Sequence, residues 1–137
     1  MNLTLLFLGL FIILAALVAI LVFVFAGRNK ITERHKKLIR REWNIIVDIT
    51  TSNPESALMK ADKLLDYVLK IKGYNGSMGD KLKKAGVLFH DINGIWEAHK
   101  MRNKIAHEIG YKLTASECAK YLIKIKNALK DLGVNFQ

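Results

Sequence analysis

The stretch Arg102-Asn103-Lys104-Ile105-Ala106-His107 brings a guanidinium, an amide and an imidazole close together in the chain, with a second imidazole, His99, just before it. On a helix His99, Asn103 and His107 follow one another at four-residue spacing, so their side chains lie one above another along a polar edge. Arg102 falls instead on the apolar arc formed by Ile95, Ala98, Met101, Ile105 and Ile109. A guanidinium pointing into an apolar seam needs a carboxylate, a phosphate or a partner subunit, because an unpaired buried charge costs several kcal/mol. Asp62, beside the apolar face of an earlier helix, is one candidate partner. The edge therefore gathers an anion binder and two imidazoles, although solvated histidines beside a structural ion pair would fit the same spacing.

Other chemistries are excluded by the residues themselves. His107-Glu108 lacks the second histidine of a zinc-protease helix, since position 111 is Tyr111. His99 and His107 would stand about 12 Å apart on one helix, too far to share a metal without further ligands. No metal and no cofactor is expected. Gly73, Gly76 and Gly79 follow no strand and lack a Gly-Lys-Ser/Thr ending, so they read as turn and helix-end residues rather than a phosphate loop. The single cysteine, Cys118, excludes an intramolecular disulfide and sits on a buried stripe as a small apolar filler.

The elements that must position these residues are helices. Apolar residues recur at helical spacing along the second part of the chain, without strict alternation or hairpin turns. The first such helix, about Thr32 to Thr50, turns amphipathic through Leu38, Ile45, Ile46 and Ile49, with Trp43 on its flank. Ser52-Asn53-Pro54 supplies a break and an N-cap for the next, which runs to about Lys72 and buries Ala57, Ala61, Leu64, Leu65, Val68 and Ile71. Ser77 and Asp80 cap a short helix holding Leu82 and Ala85. Asp91 caps Ile92 to Glu108, and Thr114 with Glu117 announces a last helix that buries Cys118, Leu122, Ile125, Leu129 and Leu132 before Gly133.

Composition divides the 137 residues unevenly. Every charged residue lies after Ala26, and 22 Lys+Arg against 12 Asp+Glu give the remainder a formal charge of +10. Such a chain is attracted to nucleic acid or to an anionic lipid surface. Leu3 to Ala26 runs 24 residues without a charge, roughly 36 Å as a helix, which is the signature of a membrane anchor. Cations follow this run and none precede it, so the positive-inside rule puts the N-terminus outside and the domain in the cytoplasm. The reading is thus all-α: a transmembrane anchor over residues 1–27, a basic juxtamembrane segment over 28–42 and a four- or five-helix cytoplasmic bundle over 43–137. Arg34, Lys36, Lys37, Arg40 and Arg41 would bind lipid headgroups or another polyanion.

The hexapeptide Arg102 to His107 resembles the Arg-x(4 to 6)-His motif of the HEPN superfamily, including the polar residue that often follows the arginine. An alanine-rich helix ending in Lys72-Gly73-Tyr74, and a final helix after the histidine, extend the resemblance over about residues 38 to 133. It implies a helical bundle that commonly forms a homodimer, bringing two copies of the motif into one cleft. Many members are metal-independent endoribonucleases, and others are non-catalytic binding or adaptor modules. Carried over by position, His107 would act as general acid or base at the RNA 2′-hydroxyl, Arg102 would hold the scissile phosphate, and Asn103 would bind beside them. His99 and Lys104 would add binding contacts. The expected function is a membrane-anchored adaptor or a module that binds RNA or a protein partner, with a ribonuclease leaving 2′,3′-cyclic phosphate ends as the alternative.

Overall fold

The computed structural model describes the backbone of residues 2–28 and 30–136, and within the first helix the side chains of residues 7–21. Among the described residues the chain is all-helical: α1 (Leu3–Arg28), α2 (Glu33–Ile49), α3 (Pro54–Ile71), α4 (Met78–Ala85), a 3-10 turn (Gly86–Leu88), α5 (Ile92–His107) and α6 (Ala115–Asp131). The all-α bundle expected from periodicity is present.

The expected single N-terminal transmembrane helix is not supported among the described residues. Among the described residues no helix is long and apolar enough to cross a membrane. The side chains described in α1, Phe7 to Leu21, are apolar and, apart from the half-buried Gly9, exposed. Residues 3–6 and 22–26 of the expected span, and the cation Arg28, have side chains outside the described residues. The single-pass topology and the cytoplasmic placement deduced from the anchor are withdrawn with it.

Residues Ile31–Gln137 form a compact unit separate from Met1–Lys30. The basic residues Arg34 to Arg41 therefore belong to α2 of the bundle. Each of the α-helices α2 to α6 begins where a side chain can accept from its first free N–H groups. Thr32 accepts from His35 N, Asn53 from Ser56 N, Ser77 from Asp80 N, Asp91 from Gly94 N and Thr114 from Glu117 N. Gly73 and Gly133, with φ near +93° at both, end α3 and α6; in each case the next N–H reaches back, Tyr74 N to Leu69 O and Val134 N to Leu129 O.

Helix α3 is central and packs against α2, α4, α5 and α6. It buries Ala57, Leu58, Ala61, Leu64, Leu65, Val68 and Leu69, more of its circumference than any one-sided stripe would need. Ile71, expected in the core, is only half-buried. The stripe of α2 is also displaced: Ile39, Trp43 and Ile46 are buried, whereas Leu38 and Ile45 are exposed. Trp43 is a core residue rather than a flank because the C-terminal segment folds back over α2. The Phe136 ring packs tilted against Trp43 at 5.4 Å, Val134 is fully buried, and Arg40 Nη1 donates to Asn135 O at 3.2 Å. On α5 the buried arc is Ile95 and Ala98; the helix ends at His107, which leaves Ile109 outside it and fully exposed.

Candidate functional site

The caps and stripes of α3 and α5 set the phase with which their polar edges meet. Ala61 and Ala98, both fully buried, immediately precede Asp62 and His99 on the two helices. Side chains this small let helix backbones approach, so the next residue on each can reach across. His99 Nδ1 lies 2.8 Å from Asp62 Oδ1. Arg102 Nε lies 3.6 Å from Asp62 Oδ2, an ion pair too long to be a hydrogen bond, and Nε is buried without a hydrogen-bond acceptor. Arg102 Nη1 donates to Asn103 Oδ1 at 3.1 Å, and Asn103 Nδ2 stands 3.3 Å from His99 Nε2. The four side chains close a ring.

The hydrogen-bonding capacities of the groups fix the direction of that ring. A guanidinium only donates, so Asn103 turns its oxygen to Arg102 and its NH₂ to His99. His99 Nε2 is then the acceptor, the imidazole proton sits on Nδ1, and Nδ1–H donates to Asp62. Asp62 is the carboxylate expected for Arg102, but its shorter contact is to His99.

This ring forms part of the wall of a groove of about 970 Å³ between α3, α5 and the Gly76–Gly79 turn that leads into α4. Lys60 and Lys63 of α3 also line it, and neither has a carboxylate partner among the described residues. Asp66, four residues after Asp62, is neutralised by the buried Lys81 of α4 at 2.7 Å. Asp80 caps α4: the Ser77 hydroxyl and then the Ser77 N–H hold its carboxyl below the usual range. The charges left over in the groove are positive.

The sequence-derived residues divide accordingly. Arg102, Asn103 and His99 come together in the groove. His107, the last residue of α5, is exposed and does not line it. Lys104 lies over the Tyr111 ring at 4.7 Å. Arg34, Lys37 and Arg41 are exposed on α2, Lys36 pairs with Glu33 at 2.8 Å, and Arg40 holds the C-terminal segment. Lys60, Lys63 and the Asp66–Lys81 pair were not singled out from sequence. The four-residue spacing of Asp62 and Asp66 beside the apolar face of α3 was the available signal.

Among the described residues no group of three His, Cys, Asp or Glu side chains could hold a metal ion. Cys118 is fully buried, donates Sγ–H to Pro54 O at 3.2 Å, and has its thiol pushed up to about 11 by burial and then by the Glu55 charge. Comparison of the chain with family models, with curated proteins and with solved structures gives no match.

Proposed function

We propose that the bundle is an RNA-binding module of HEPN-like type, non-catalytic as a single chain, that holds phosphates of single-stranded RNA through the α3–α5 groove and the exposed cations of α2. The observation that carries this reading is the separation of the motif: Arg102 and Asn103 face one positive groove together with His99, while His107 stands outside it. A module built this way can hold a phosphate without having a proton acceptor at the motif's histidine. The net charge of +10 supports the same partner class.

Titration of a fluorescently labelled single-stranded RNA with the full chain tests it. Binding should weaken linearly in log Kd against log salt, with a slope of about 0.7 per phosphate contacted. Arg102→Ala should cost about 1–2 kcal/mol of RNA affinity while the RNA stays intact. Absence of salt-dependent binding would overturn the reading.

A second reading is the metal-independent endoribonuclease, favoured by one feature: the exposed His107 imidazole is open to a second copy of the chain. It requires RNA cleavage in the presence of chelator, 2′,3′-cyclic phosphate ends, and a loss of about 10²-fold or more in His107→Ala.

A further inference from the structure

We infer that the α3–α5 groove is a phosphate site in which His99, rather than His107, is the responsive imidazole, taking up a proton as the phosphate enters. This deepens the RNA-binding reading and rests on it for the identity of the ligand.

The direction of the hydrogen bonds governs what can approach His99. With Nε2 accepting from Asn103, His99 presents a lone pair to the groove side of the ring. A phosphate oxygen is also an acceptor, so it cannot approach that atom unless Nε2 carries a proton. A protonated Nε2 cannot face the Asn103 NH₂, because both would be donors. Proton uptake therefore breaks the Asn103–His99 bond, at 3.3 Å the longest in the ring, and turns two donors towards the groove. Arg102 supplies the third. Its Nη1 is tied to Asn103, and its fork has no other hydrogen bond among the described residues.

The surroundings of His99 suit the change. Asp62, its side chain 7% exposed, accepts from Nδ1–H and would face the imidazolium at 2.8 Å. Trp96 meets the ring edge-on at 6.0 Å. Arg102 on α5 and Lys60 and Lys63 on α3 oppose a further positive charge until an anion is present. Asp66 is tied to Lys81, and Asp80 to Ser77. Anion entry and protonation thus favour each other, and by linkage the affinity must rise as pH falls.

Calorimetric titration of the full chain near pH 7.5, in two buffers of different ionisation enthalpy, tests this with a single-stranded RNA lacking terminal phosphates and, separately, with inorganic phosphate. Internal phosphodiesters do not titrate in this range, so any proton taken up with RNA belongs to the protein. Uptake of up to one proton per site is expected, with affinity rising by as much as tenfold per pH unit on acidification. His99→Gln should abolish the uptake and flatten the pH dependence, and His107→Gln should leave both unchanged. In the unsubstituted chain, phosphate should convert the His99 ring from the neutral Nδ1–H form to imidazolium by NMR, a readout that does not depend on a variant folding. RNA binding without proton uptake, or uptake that survives His99→Gln, overturns the inference and leaves the RNA-binding reading standing. Inorganic phosphate itself titrates near pH 7, so only proton uptake that is lost in His99→Gln counts for it; such uptake without RNA binding supports the site and sinks RNA as its ligand. Binding of neither probe sinks both.

Discussion

Asp62 is 5% exposed, yet it faces an imidazole N–H on one oxygen and a guanidinium on the other. Asp62→Asn keeps an acceptor for His99 but removes the charge opposite Arg102, and is expected to cost about 1–2 kcal/mol. Asp62→Leu leaves both partners unanswered in a partly buried place and should cost about 3–5 kcal/mol. Urea unfolding of the two variants gives the order; equal costs would mean that His99 gains nothing from Asp62. The need of Arg102 for a carboxylate, a phosphate or a partner subunit was legible from its place on an apolar arc, with Asp62 as one candidate. That His99 holds that carboxylate more closely was not legible, because contact across two helices depends on their relative phase. At Cys118, a thiol pushed up to about 11 and wholly buried should resist alkylation at neutral pH, reacting only as the chain unfolds in denaturant. Rapid labelling of the native chain would contradict its place in the core.

At the scale of the element, two capping boxes and one tether depend on carboxylates. The Thr114 hydroxyl and then its N–H lower Glu117, the corresponding groups of Ser77 lower Asp80, and the Leu113 N–H lowers Glu55, which joins the α5–α6 connection to the start of α3. A depressed carboxyl contributes stability that is present above its unfolded value, here 4.5 for the glutamates and 3.8 for the aspartate, and lost as pH falls through the folded one. Thermal melts should therefore fall steadily below about pH 4.5, and Glu117→Gln should remove part of that slope. Thr114→Ala, which deletes the cap itself, should cost about 1 kcal/mol at neutral pH. These caps were legible because they are local: a hydroxyl and a carboxylate three residues apart meet whatever the rest of the chain does. The buried stripe of α2 was not. Leu38 and Ile45 satisfy helical periodicity as well as Ile39 does, and the choice between them is made by Phe136 and Val134 returning from the other end of the chain. Trp43→Ala should cost about 3–5 kcal/mol, as for a core aromatic, and not the fraction expected of a flank.

The whole molecule consists of two units, and among the described residues the buried core lies within Ile31–Gln137. A chain beginning at Ile31 should unfold in one cooperative transition with the helical content of α2 to α6, measured by circular dichroism; loss of that transition would make α1 part of the folding unit. The sequence by itself determined what is local: that the chain is all-α, where most helices begin and end, and that Arg102 on an apolar face needs a polar or charged partner. Each follows from the 3.6-residue period, from caps that close within one turn, or from the cost of an unpaired charge. A 24-residue uncharged run also pointed to a membrane span, whereas among the described residues no helix is long and apolar enough to make one. Only the tertiary structure decided which imidazole joins Arg102. His99 and His107 lie on the same helical edge and are equivalent to any argument from spacing. α3 packs across α5 at His99, whereas α5 ends at His107 with that side chain exposed. The groove belongs to His99 because a second helix supplies Asp62 there.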